Sequence, residues 1–153
     1  MKRKKIFLLA PPFSGHLYPL LGIGRRLSTV ADVTVLTTPS GIAAAATADL
    51  AGREIMAAHE GTIWEIAEPG SGVKNNPLLL YRQLKTNVGI MGELKDELTA
   101  LFRTEQPDLV IADFTVPVAG LAATEQGIPW WTTIPSPCVF ETPDGPPAYC
   151  GGQ

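Results

Sequence analysis

Apolar and polar positions alternate along this chain between two kinds of pattern. Residues 5–10 hold Ile6, Phe7, Leu8, Leu9 and Ala10 in one unbroken run that stops at Pro11-Pro12. Short runs of this kind mark strands buried on both faces, as in parallel sheets. Beyond the prolines, Leu20, Leu21, Ile23, Gly24 and Leu27 recur at helical spacing with Arg25 and Arg26 outside, and Pro19 suits the first turn of that helix. Residues 32–38 predict a second, β-branched strand, residues 43–50 an alanine-rich helix, and residues 63–66 a third strand. Gly70, Ser71, Gly72, Asn75 and Asn76 make residues 69–77 a loop. Over residues 78–102, Leu84, Val88, Met91, Leu94, Leu98 and Leu101 keep three- and four-residue spacing. This is one long helix, or two broken near Gly89 or Gly92. Pro107-Asp108 then opens an apolar strand over residues 109–112 that ends at Asp113. A small-residue helix follows over residues 116–126, closed by Gly127, and then a further strand over 128–133.

Strands alternating with helices predict an α/β fold, a parallel sheet covered on both faces. Neither an internal repeat nor a long linker divides the chain, so residues 1–153 are expected to form one domain. Open sheets of this kind gather ligands at the carboxyl ends of their strands. Residues 11–18, 113–117 and 132–140 fall at such ends.

Composition narrows the function. With 153 residues, 45% hydrophobic and 18% charged, the chain is globular rather than disordered. A net charge of −3 and a pI near 5.3 give no footing for nucleic-acid binding. Lys2-Arg3-Lys4-Lys5 is read as a solubilising start to the first strand. The apolar stretch behind it is shorter than the roughly 7–15 residues of a signal-peptide core. No apolar run approaches the roughly 18 residues of a membrane span. Cys138 and Cys150 match no metal or redox spacing and are read as free thiols in a cytoplasmic protein. The chain stops at Gly151-Gly152-Gln153 among prolines and glycines, which reads as the middle of a longer protein.

The chemistry concentrates at His16. No glycine-rich dinucleotide fingerprint and no P-loop follows the first strand. Ser14-Gly15-His16-Leu17-Tyr18-Pro19 stands there instead, with Gly15 expected to allow a tight turn before the helix. An imidazole, with an ordinary pKa of about 6.5, takes a proton from a hydroxyl when a carboxylate fixes its other nitrogen. Asp113, ending a strand on the same sheet edge, supplies that carboxylate. The plainer alternative makes His16 a helix cap and Asp113 the N-cap of the next helix. Among the rest, His59 beside Glu60 reads as a surface residue. The segment from Glu93 to Glu97 reads as a solvated helix face. Trp130 and Trp131 point to opposite sides of a strand, one for the core and one for a ligand. Ser136 lacks the context of a hydrolase nucleophile. Phe13, Tyr18, Phe114 and Phe140 fall on the ligand-facing loops.

Taken together, these segments resemble a known family. Residues 10–21, from Ala10-Pro11-Pro12 through Ser14-Gly15-His16-Leu17-Tyr18-Pro19, resemble the opening of nucleotide-sugar-dependent glycosyltransferases of the GT-B fold. The group meant contains macrolide, plant secondary-metabolite and carotenoid enzymes. Pro107-Asp108-Leu109-Val110-Ile111-Ala112-Asp113-Phe114 resembles their Pro-Asp-(apolar)-Asp segment, at the usual distance from the histidine. Gly127-Ile128-Pro129 continues the match.

The resemblance implies the Rossmann-like, N-terminal half of a GT-B fold, which binds the acceptor. His16 would deprotonate the acceptor hydroxyl, Asp113 would orient it, and the sugar would transfer with inversion. Phe13, Ser14, Gly15, Tyr18, Phe114, Trp131, Pro137 and Phe140 would contact substrate. No metal or other cofactor is implied; the co-substrate would be a UDP- or dTDP-linked sugar. The acceptor would be a small lipophilic molecule, held partly by residues 69–91 and 135–149. Two departures stand out. Tyr18 replaces the asparagine that many relatives carry, and the second domain that holds most of the nucleotide sugar has no counterpart here. The donor would therefore come with a C-terminal domain or a partner chain. Two other readings remain: a non-catalytic binding module, and an unrelated Rossmann-like enzyme whose histidine loop binds phosphate.

Overall fold

The computed structural model describes residues 2–67 and 76–135. Among them, five strands form one parallel sheet in the order β3-β2-β1-β4-β5: β1 (Lys4–Leu9), β2 (Ala31–Thr37), β3 (Ala51–Glu54), β4 (Leu109–Asp113) and β5 (Trp130–Thr133). Five helices connect them: α1 (Ser14–Leu27), α2 (Pro39–Thr47), α3 (Glu60–Ala67), α4 (Pro77–Glu105) and α5 (Val118–Glu125). This is a Rossmann-like α/β fold, as the alternation predicts.

Side chains alternate across the sheet and divide the core in two. Ile6, Leu8, Ala10, Val33, Val35 and Ile111 meet Leu17, Leu20 and Leu21 of α1. Phe7, Leu9, Leu36, Val110 and Ala112 meet Ile90, Leu94, Leu98, Leu101 and Phe102 of α4, together with α5. Gly24 lets α1 lie close on its face, because a Cβ there would come within 2.6 Å of Leu8 Cδ1. Gly127, at φ +67°, closes α5 in the left-handed conformation its sequence position promises.

Several expectations need correction. Residues 63–66 belong to helix α3, and the third strand is Ala51–Glu54. Ile63, Trp64 and Ile66, with Glu65 between them, are too few to tell a strand from a helix. β3 is a short edge strand with every side chain exposed, so it leaves no apolar signature. The residue 78–102 pattern forms one continuous helix, unbroken at Gly89 or Gly92. Pro19 lies inside α1 rather than at its first turn. It supplies no N–H to the Gly15 carbonyl one turn earlier, and that carbonyl sits on an exposed residue that solvent reaches.

The basic N-terminus does more than solubilise. Arg3 binds Asp32 at 2.8 Å and the carbonyls of Ser28 and Ala31. Lys4 reaches Asp108 and Lys5 reaches Glu105. The acidic face of α4 is likewise engaged: Glu93 binds His59 at 2.6 Å, Lys95 pairs with Glu125, and Glu97 accepts the Met56 amide. Both sets of charges meet partners distant in sequence, which local spacing does not reveal.

Candidate functional site

The carboxyl edge of the sheet brings two sequence-distant groups together. β4 exposes Leu109 and Ile111 to the α1 face, and the same alternation turns Asp113 that way. His16 stands on the first turn of α1, which crosses that edge. Asp113 Oδ1 lies 3.0 Å from His16 Nδ1. The Asp113 side chain is 0% exposed and that of His16 is 26% exposed.

Thr115 completes the arrangement. Its backbone N–H donates to Asp113 Oδ1 at 3.0 Å and its hydroxyl donates to the same oxygen at 2.6 Å. With Oδ1 acting as acceptor throughout, Nδ1 is the donor in this contact, and the neutral tautomer that donates there has its lone pair on Nε2. Among the described residues, the buried Asp113 Oδ2 has no partner. Asp113 thus holds both the imidazole and the Thr115 turn, and neither residue caps a helix as the plainer alternative expects: Phe13 is the N-cap of α1 and Pro117 that of α5.

Aromatic rings frame the histidine. Phe13 stands edge-on at 6.3 Å between centroids, and Phe114 lies tilted at 5.6 Å. Phe13 also meets Trp64 of α3 edge-on at 4.9 Å. Beside this cluster opens a cavity of about 270 Å³ on the α4 face of the sheet. Its walls include Phe13, Ile55, Met56, Ile63, Ile66, Ile90 and Met91, and its polar side chains are Thr38, Asn87 and Thr115. His16 is not a wall, but Phe13 and Thr115 are, so the dyad borders the cavity through them.

The structure distributes the remaining sequence-predicted residues unevenly. Ser14 and Gly15 open α1 and are exposed; a Cβ on Gly15 would touch nothing within 4 Å, and no tight turn needs it. Tyr18 points to solvent and does not line the cavity. Trp131 shares the α1 side of the sheet with Ile111, is 66% exposed and also lies outside the cavity walls. Trp130 is 43% exposed rather than in the core: its ring covers Gly120 of α5, and its Nε1 donates to Thr124 at 3.0 Å. Pro137 and Phe140 lie outside the described residues, as do Ser136, Cys138 and Cys150.

Trp64 belongs to the site and lay outside every segment expected there, whereas Asn87 and Met91 fall within residues 69–91 and Thr115 within residues 113–117 without having been singled out. Only Thr115 carried a local signal, a hydroxyl two residues beyond a strand-ending aspartate. Among the described residues no cluster of His, Cys, Asp and Glu could hold a metal ion. No described helix is long and apolar enough to cross a membrane.

An α/β domain with its ligand-sized cavity at the carboxyl strand ends belongs to the broad class of Rossmann-like binding and catalytic folds. Its particular relatives in shape are glycosyltransferases. The glycosyltransferase SnogD from Streptomyces nogalater superposes with a TM-score of 0.69 at 18% identity, over 92% of this chain and 36% of its own. The glycotransferase of kitacinnamycin gives 0.68 at 21% identity, over 89% and 31% of the two chains. CalG4, the calicheamicin glycosyltransferase, gives 0.68 at 19%, over 86% and 32%. The chain thus spans about a third of the length of the solved structures it matches, and it shares the fold of that part of GT-B glycosyltransferases. No protein-family model and no curated protein matches the sequence.

Proposed function

We propose that this chain is the acceptor-binding part of an inverting glycosyltransferase, with His16 as general base and Asp113 as the group that orients it. The observation carrying this reading is the buried, Thr115-clamped Asp113 set 3.0 Å from His16 Nδ1 at the border of an apolar cavity. The acceptor hydroxyl gives its proton to His16 Nε2 as its oxygen bonds to the anomeric carbon. The bond from that carbon to the nucleotide diphosphate breaks in the same step, and Asp113 stabilises the imidazolium formed. A UDP- or dTDP-linked sugar is the expected donor, held mainly by a second α/β domain or a partner chain. By itself the chain would transfer little.

The test joins the chain to the donor-binding domain of a structurally similar glycosyltransferase and follows a labelled nucleotide sugar with a hydroxylated aromatic acceptor. Transfer that His16→Ala abolishes supports the proposal. Absence of transfer in every combination, with acceptor binding retained, sinks it in favour of a non-catalytic binding module. One observation favours that second reading: the cavity walls exclude His16.

A further inference from the structure

The cavity distinguishes between ligands as well as admitting them. Three polar side chains face it, and two are already committed: Thr38 donates its hydroxyl to Glu60 at 2.7 Å, and Thr115 donates its own to Asp113. Asn87 makes no side-chain hydrogen bond among the described residues, although it is half-buried. Its amide offers two donors and one acceptor oxygen. Among the described residues no wall residue carries a charge. On α4 the walls are Asn87, Ile90, Met91 and Leu94, so Asn87 stands about 10 Å along the helix from the buried Leu94, at 1.5 Å per residue. Among the described wall residues, polar recognition is thus concentrated at the one uncommitted amide.

We propose that Asn87 is the specificity-determining residue of this cavity, hydrogen-bonding a hydroxyl or carbonyl on an uncharged, mainly apolar acceptor whose reacting hydroxyl faces His16. The inference rests on the acceptor-binding reading and adds a substrate class to it: neutral molecules with two separated oxygen functions. A ligand lacking the second oxygen leaves the Asn87 amide unpaired, and a site built for a hydrogen bond discriminates against that loss. A carboxylate would have to shed its water with no cation among the described wall residues to receive it.

Calorimetric titration of the full 153-residue chain with three probes of similar size tests this. The probes are 2-naphthol, 2,7-dihydroxynaphthalene and 6-hydroxy-2-naphthoic acid. The diol is expected to bind about tenfold more tightly than 2-naphthol, the naphthoate more weakly than either. Asn87→Leu should erase the preference for the diol while 2-naphthol binds at least as well. Asn87→Ala, which fills no space, should erase it too. A diol preference that survives both variants overturns the proposal. So does a naphthoate that binds as tightly as the diol, or failure of all three probes to bind at millimolar concentration. Transfer is scored separately. The expected preference without transfer, under any donor partner, overturns only the glycosyltransferase reading; transfer without an Asn87-dependent preference overturns only this one.

Discussion

The two edges of the sheet are built on opposite plans. At the amino edge, Arg3, Lys4 and Lys5 bind Asp32, Asp108 and Glu105, and the Asp108 carboxylate also accepts the Lys5 amide at 2.8 Å. Charges there pair with charges, close to water. At the carboxyl edge one imidazole meets one buried carboxylate beside an apolar cavity, and Asp113 Oδ2 and Thr37 Oγ1 are buried with no partner among the described residues. Unsatisfied buried oxygens cost stability. The amino edge pairs its charges, whereas the carboxyl edge leaves buried oxygens without partners among the described residues.

The largest effect that would test this contrast is catalytic. In the joined enzyme, His16→Ala should lower transfer by about 10²–10⁴-fold, the usual contribution of a general base, with the far-UV spectrum unchanged. A fall of less than about tenfold would place the base elsewhere. Near the amino edge, Phe102 is fully buried and packs against Phe7 at 6.1 Å. Phe102→Ala should cost about 3–5 kcal/mol in urea unfolding. Gly24→Ala, which forces Leu8 and Leu50 aside beneath α1, should cost about 1–3 kcal/mol by the same measurement.

The smallest effect concerns pH. Lys4 and the Lys5 amide hold Asp108 below its ordinary 3.8, and Lys5 and then Arg53 hold Glu105 below 4.5. Depressed carboxylate values mean stability that is present above those ordinary values and lost as pH falls through the folded ones. The urea midpoint should therefore decline as pH drops from about 4.5 through 3.8 and below. Asp108→Asn should flatten that decline, and high salt should shrink it, because both pairs are exposed. A slope that the substitution leaves intact would show that the amino-edge pairs do not couple to folding.

Sequence carried much of this and missed the rest for physical reasons. The runs at residues 5–10 and 109–112 are legible because strands buried on both faces must be apolar throughout, and both end at the edge that bears His16 and Asp113. β3 was invisible because an exposed edge strand is held by backbone hydrogen bonds that need no particular side chain. Apart from Phe13 and the broad span 69–91, the cavity walls were illegible for a different reason. Ile63, Ile66, Asn87 and Met91 become neighbours only when α3 and α4 fold against one edge, and nothing in local spacing records that meeting. The pairing of Asp113 with His16 was legible, whereas Thr115, which donates twice to Asp113, looked like any turn residue.

His16 and Asp113 sit on the α1 side of the sheet, and most of the cavity walls sit on the α4 side; the two meet through Phe13 and Thr115. This division governs how the protein can evolve. Mutations at Ile63, Ile66, Ile90 or Met91 can reshape what the cavity accepts while leaving the imidazole and its carboxylate untouched. Descendants of this chain could therefore diverge in what the cavity admits while keeping the His16–Asp113 pair, and among the described residues Phe13 and Thr115 are walls that also touch that pair.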